Sequence, residues 1–128
     1  MAFNQTTWPV NSGTNNTILV CSRWLGTGAA DATLISGRGV ATVDQTATGL
    51  YTITFNNVGG TLLGLFLQVM NTAGTAAAQK VANPILYSAS AKTYTISVVN
   101  MDATPVLADL AASDELQIMA VWSDASVP

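Results

Sequence analysis

Residues 38–56 read RGVATVDQTATGLYTITFN and contain the clearest evidence for the fold class. Two segments rich in β-branched and aromatic residues, 38–45 and 50–56, flank a short turn over residues 46–49. Two such segments joined by a short glycine-containing loop are typical of a β-hairpin. The second segment alternates apolar and polar residues, which predicts a strand with one buried face.

The same kind of pattern continues outward in both directions. Residues 92–101 and 115–123 alternate in the same way, whereas residues 61–71 are apolar on both faces and predict a central strand covered on both sides. Asn83-Pro84 predicts a turn, and Thr104-Pro105 predicts the start of a short helix that ends near Ala112. The remaining predicted strands are 17–24, 33–36 and 85–88.

These elements predict an all-β chain: a single β-sandwich or small barrel of about seven to eight short antiparallel strands. Residues 1–16 are polar with isolated apolar side chains and predict an extended N-terminal arm, which leaves residues 17–128 as the sandwich domain. Phe3, Trp8 and Val10 are the candidate partner contacts on this arm. Phe3 and Trp8 are expected to pack either on the chain's own core or on a neighbouring subunit.

Charge is scarce in this chain of 128 residues. Charged residues make up 9% of the sequence, against about 25% in an average soluble domain. None lies in 1–21 or in 45–79. A surface with so little charge offers little repulsion between copies, so it suits a protein covered by copies of itself or by partners. A solitary domain with a neutral, hydroxyl-rich surface is the alternative.

The few charges and the single cysteine restrict the classes of partner. The four basic residues are scattered and form no cluster for phosphates, so we expect no direct binding of nucleic acid. Residues 58–70 are too short to span a membrane, and residues 1–16 lack the features of a signal peptide. Cys21 lies in an apolar run and is expected to be a buried, inert thiol, compatible with a reducing cytoplasm.

The residues do not suggest catalysis. Histidine is absent, which removes the most common general base and metal ligand. Acids lie at predicted turns and strand ends, where they are normally solvated, and adjacent Asp114 and Glu115 would point to opposite faces of a strand. We therefore expect no catalytic, cofactor-binding or metal-binding residues. The acids are Asp31, Asp44, Asp102, Asp109, Asp114, Glu115 and Asp124.

Two further patterns have structural explanations that compete with functional ones. Gly26-Thr27-Gly28 and Gly37-Arg38-Gly39 lack the continuation of a phosphate-binding loop, which favours tight turns. Trp8, Trp24 and Trp122 together could form a sugar-binding platform. Trp24 and Trp122 lie on strand patterns, so core packing is the expectation for them. A carbohydrate-binding module is the alternative function from another class.

Two segments carry a resemblance to a known group of proteins. Residues 26–55 (GTGAADATLISGRGVATVDQTATGLYTITF) and 115–128 (ELQIMAVWSDASVP) resemble the opening and the close of small structural proteins encoded in the head gene clusters of tailed phages. The resemblance implies a non-enzymatic virion protein on the capsid exterior, made in the host cytoplasm. Such a decoration or cement protein would bind the lattice of the major capsid protein as a homotrimer. A tail or head-fibre component is the nearby alternative.

Overall fold

The regular secondary structure of the described part consists of strands. A computed structural model describes residues 7–11, 16–56, 61–72, 79–101 and 104–123. Within these residues there are ten antiparallel strands, and no helix is present that could cross a membrane. The strands are β1 (Thr7–Asn11), β2 (Asn16–Leu25), β3 (Thr33–Gly37), β4 (Val40–Ala47), β5 (Leu50–Phe55), β6 (Leu62–Asn71), β7 (Lys80–Ser88), β8 (Thr93–Asn100), β9 (Val106–Leu107) and β10 (Asp114–Ser123).

The strands form two sheets around one core, which confirms the sandwich rather than the barrel, with ten described strands where about seven to eight were predicted. The first sheet has the order β1-β2-β10-β6, and β3 pairs with the same edge of β2 as β1 does. The second sheet has the order β4-β5-β8-β7, and the two-residue β9 also pairs with β8. The predicted hairpin is β4 and β5, with Val43 opposite Ile53.

The core consists of the inward-facing side chains of both sheets. On β10, Leu116, Ile118, Ala120 and Trp122 are all buried, as the alternation predicts. The Trp122 ring meets the ring of Phe55 edge-to-face, with 5.2 Å between centroids, so the two sheets interlock through aromatic contact. The other buried apolar residues are Val20, Trp24, Val40, Val43, Tyr51, Ile53, Ala82, Ile96, Val98 and Leu110.

β6 is an edge strand, so the prediction of a central strand over residues 61–71 is wrong. Within the described residues it pairs with β10 alone. Its outward side chains remain in solvent, with Leu63 58% and Phe66 57% exposed. Apolar residues on both faces normally mean that both faces are covered. Here the inner face meets the core, and the outer apolar face is left uncovered.

Two local predictions around prolines are also wrong. β7 continues through Asn83-Pro84, because an edge strand tolerates a proline and a shift in register follows between Pro84 and Leu86. The segment after Thr104 forms β9 and an irregular loop instead of a helix. The amide of Ala108 donates to the Val98 carbonyl at 3.0 Å, and the amide of Leu110 donates to the Tyr51 hydroxyl at 2.8 Å. These long-range acceptors replace the hydrogen bonds of a helix.

Tyr51 holds the 108–113 loop against the core through that hydroxyl. The side chain is fully buried, and desolvation raises its pKa above the ordinary value of 10.0. Folding therefore favours the neutral hydroxyl. The stability that this provides is complete below pH 10 and is lost as the pH rises through the raised pKa of the folded state.

Tyr51→Phe tests this contact. The substitution leaves the buried Leu110 amide without an acceptor, which should lower the free energy of unfolding by about 1–3 kcal/mol at neutral pH. Because phenylalanine cannot ionise, the variant should also lose stability less steeply than the wild type above about pH 10. Urea unfolding at several pH values measures both effects. Tyr94→Phe, at a partly exposed tyrosine, is the control and should change stability by less than about 0.5 kcal/mol.

The turn from β3 into β4 carries the chain from one sheet to the other and depends on glycine. Gly37 and Gly39 have φ values of 96° and 90°, which confirms the predicted tight turn at Gly37-Arg38-Gly39. A Cβ atom on Gly39 would overlap the side chain of buried Val20. Gly28 has a similar φ of 84°, but a Cβ there would meet nothing within 4 Å.

Alanine substitutions of Gly28 and Gly39 form a matched pair of variants. Gly28→Ala should cost about 1–2 kcal/mol, because only the backbone is strained. Gly39→Ala should cost roughly 1–3 kcal/mol more, because the methyl group also displaces Val20. Thermal or urea unfolding of both variants gives the difference, and equal losses would show that the contact with Val20 does not constrain the turn.

Candidate interaction surface

The acidic residues of the described part all serve as hydrogen-bond acceptors within the chain. Asp102 and Asp124 lie outside the described residues. The prediction that the acids are simply solvated is wrong for Asp114 and Glu115, which are 0% and 1% exposed. The acceptor atoms and donors are Asp31 Oδ1 with the backbone amide of Gln45, Asp44 Oδ2 with the Thr42 hydroxyl, Asp109 Oδ1 with the backbone amide of Gly49, Asp114 Oδ2 with Lys80 Nζ, and Glu115 Oε1 with Arg23 Nε.

Asp114 joins both sheets and a loop at one end of the sandwich. Its carboxylate accepts hydrogen bonds from Lys80 Nζ at 2.6 Å, Asn71 Nδ2 at 2.9 Å and the Ala111 amide at 2.8 Å. These donors come from β7 of the second sheet, β6 of the first sheet and the loop before β10. Lys80 is itself mostly buried, with 10% of its side chain exposed. Three donors, one of them charged, compensate for the burial of the carboxylate.

Glu115 lies on the opposite face of β10, as strand alternation predicts. Arg23 Nε donates to one carboxylate oxygen, and Gln117 Nε2 donates to the other at 3.3 Å. The Arg23 side chain is 52% exposed and covers the carboxylate. Among the described residues, the outer side of the first sheet therefore contains an acid but presents no free carboxylate to a partner.

The outer face of the first sheet carries an apolar row across three strands. Register places Cys21, Met119 and Phe66 side by side on β2, β10 and β6. Phe66 is 57% exposed and Met119 is 37% exposed. A second, polar row, Arg23, Gln117 and Gln68, lies next to the first. A shallow groove of about 560 Å³ runs over both rows. We call these six residues the outer face.

Cys21 is exposed, so the prediction of a buried thiol is wrong. The neighbours of Cys21 on β2 show why: Val20, Ser22 and Trp24 alternate with it and point into the core. Buried Ser22 accepts a hydrogen bond from Trp24 Nε1 at 2.9 Å, which explains a polar residue at an inward position. Strict alternation from Trp24 would have placed Cys21 outside, although the surrounding apolar run suggested burial.

Of the three predicted contact residues on the N-terminal arm, the structure describes only the backbone of two. Phe3 lies outside the described residues. Trp8 and Val10 belong to β1, where their backbones lie opposite Leu19 and Thr17 of β2, but their side chains lie outside what is described. β1 thus pairs with a strand of its own chain. Contact of Phe3, Trp8 or Val10 with a partner stays a prediction.

Trp24 and Trp122 do not form a platform for sugars. Trp24 and Trp122 are buried in the core, which confirms the expectation of core packing. No three side chains of histidine, cysteine, aspartate or glutamate meet in the described ranges to form a cluster for a metal ion. Comparison with protein-family models, with curated proteins and with solved structures found no match.

Lys80→Met tests the buried ion pair. The substitution leaves the Asp114 carboxylate buried with only neutral donors, which should lower the free energy of unfolding by about 3–5 kcal/mol. Urea unfolding followed by the fluorescence of the buried tryptophans measures the loss. Arg38→Met removes the same charge at an exposed position and should cost less than about 0.5 kcal/mol.

A double variant separates the effect of the unpaired charge on stability from the effect of changed packing. Lys80→Met combined with Asp114→Asn should recover part of the lost stability, because no unpaired charge remains in the core. If Lys80→Met is as stable as Arg38→Met, the ion pair does not hold the two sheets together.

Proposed function

We propose that the chain is a non-enzymatic structural subunit, a decoration or cement protein that binds the lattice of a phage major capsid protein on the capsid exterior. The observation that carries this proposal is the outer face of the first sheet. Phe66, Met119 and Cys21 present apolar surface there, and Glu115, the acid that β10 carries on the same side of the sheet, is covered by Arg23 and Gln117. Exposed apolar residues that adjoin one another with a polar rim are typical of an interaction site.

The chemistry of this face favours a flat protein partner over a small charged ligand. Apolar contacts in the Cys21 row would exclude water, and the amides of Gln68 and Gln117 can donate and accept hydrogen bonds beside them. A subunit that binds the assembled lattice more tightly than its free proteins stabilises the shell by mass action. Such a subunit needs a matching surface and no reactive group.

The positions of the acids and tryptophans support this function over its rivals. Asp114 and Glu115 are each held by a cation and additional donors, an arrangement that fits a structural role. Burial of Trp24 and Trp122 removes two of the three aromatic side chains that a carbohydrate-binding platform would use. The proposal therefore favours protein–protein contact through the first sheet.

Immunoelectron microscopy tests the location. An antibody raised against the chain is applied to intact phage particles purified from cells that express its gene, and to particles from a deletion of that gene. The proposal expects label over the heads of the first preparation only, and earlier release of DNA on heating from the second. Label on tails or fibres, or equal heat resistance of the two preparations, would contradict it.

Charge placed on the outer face should prevent binding to the lattice. Phe66→Glu and Met119→Glu each replace a contact side chain by a carboxylate, and loss of one buried side chain corresponds to roughly tenfold weaker binding or more. Ala41→Glu adds the same charge at an exposed position of β4 and should bind like the wild type. Cosedimentation with shells lacking the chain measures all three. Equal binding by the Phe66 and Ala41 variants would exclude the outer face as the contact.

A further inference from the structure

The sandwich has four lateral edges, and three of them carry features that oppose strand pairing. Beside β2, the edge of the first sheet consists of two five-residue strands, β1 and β3, and β1 contains Pro9. β4 carries Asp44 and two shifts in register. β7 carries Lys80, Pro84 and one shift in register. Charges, prolines, bulges and short strands are the devices by which natural proteins keep sheet edges from pairing.

The fourth edge, β6, has almost none of these devices. Its ten residues read LLGLFLQVMN and contain no charged residue and no proline. Its one shift in register lies at the beginning of the strand, where Leu62 and Gly64 pair with Trp122 and Val121. A long, uncharged, apolar edge is a template for another strand unless something covers it.

The hydrogen bonds to β10 show which backbone groups of β6 are available. The Thr72 amide donates to the Ser113 carbonyl at 2.7 Å, just past the end of β6. Hydrogen-bonded pairs alternate along an antiparallel ladder. The N–H and C=O groups of Leu65, Leu67 and Val69 therefore point away from β10, and they have no backbone partner in the described part of the chain.

The surroundings of the β6 edge are open and combine apolar with polar side chains. A cleft of about 540 Å³ lies between the second half of β6 and the beginning of β7. Met70, Val81 and Met101 line it, and each is more than a third exposed. Phe66 adjoins it on the outer face. An added strand would cover apolar side chains as well as pair backbone groups.

We propose that β6 of one copy pairs antiparallel with β6 of a second copy about a twofold axis at Leu67. This register places Leu67 opposite Leu67 of the second copy and Leu65 opposite its Val69. Leu65, Leu67 and Val69 then face the same three residues of the second copy, which forms about six hydrogen bonds, two for each hydrogen-bonded pair. The first sheets of the two copies become one continuous sheet.

A second copy fits this edge better than a charged or irregular partner. An identical strand presents the same spacing of donors and acceptors, and twofold antiparallel pairing satisfies both strands at once. Because β6 has no charge, two copies meet without repulsion. Gly64 lies opposite Met70 of the second copy, so a small residue meets a large one. The pairing does not depend on the proposed role on a capsid, and it gives a dimer where the resemblance to phage proteins implied a trimer.

Mass and amide exchange together test the pairing. Light scattering of the wild type should give twice the chain mass of 13.2 kDa at high concentration. Hydrogen exchange followed by NMR should show that the amides of Leu65, Leu67 and Val69 become protected as the dimer forms. A monomer at every concentration overturns the proposal, and so does any oligomer in which these three amides exchange as fast as in the monomer.

Gln68→Glu provides a near-isosteric variant at the axis. It places two carboxylates on the same face of the paired strands in the dimer, and dimerisation should weaken roughly tenfold or more at low salt and partly recover at high salt. Asn83→Asp makes the matched change on exposed β7 and should dimerise like the wild type. Circular dichroism confirms that both variants are folded. Unchanged dimerisation of Gln68→Glu, or equal weakening by both variants, would exclude β6 as the paired edge.

Discussion

The fold depends on the buried carboxylate of Asp114. It accepts hydrogen bonds from Lys80 on β7, Asn71 on β6 and the Ala111 amide, so one side chain joins both sheets and the loop that leads into β10. The Asp114 carbonyl also accepts the Gly26 amide at 2.9 Å, which ties the end of β2 to the same point. With that end of β10 held, its inner side chains enter the core and Glu115 points to the opposite face.

Part of the little charge that the chain carries is neutralised within the fold. Four charged groups form two ion pairs, Lys80 with Asp114 and Arg23 with Glu115, and both carboxylates are buried. The remaining outer face of the first sheet offers sulfur, aromatic and amide groups. We propose this surface for contact with other proteins, and the unprotected edge of β6 adjoins it at Phe66. A dimer joined through β6 would align two outer faces on one continuous sheet and so double the area available to a flat lattice.

The alternation of apolar and polar residues predicted the strands that have one apolar side. It did not predict structure that depends on contacts with residues far away in the chain. The β4–β5 hairpin and the inner face of β10 follow from a period of two, since each has one clearly apolar side. β6 is apolar on both sides, so its sequence cannot show that one side faces solvent. The segment after Thr104 resembles a helix start, but its amides meet acceptors on Tyr51 and Val98, far away in the chain.

The burial of the two adjacent acids was equally hidden. Lys80 and Arg23 lie 34 and 92 residues before the carboxylates that they neutralise, and no pattern in the sequence links them. The exposure of Cys21, by contrast, was available from strict alternation with Val20 and Trp24. The pattern of apolar residues thus predicts the two sheets, whereas contacts between distant residues determine which side chains remain exposed.

We propose that this chain works by association through uncharged surface. Sedimentation velocity of the wild-type chain, from dilute to concentrated solution and at low and high salt, tests this proposal. We expect a mass that rises above 13.2 kDa with concentration and an association that salt does not weaken, because apolar and backbone contacts are not screened. A chain that stays at 13.2 kDa throughout, or an association that salt abolishes, would contradict it.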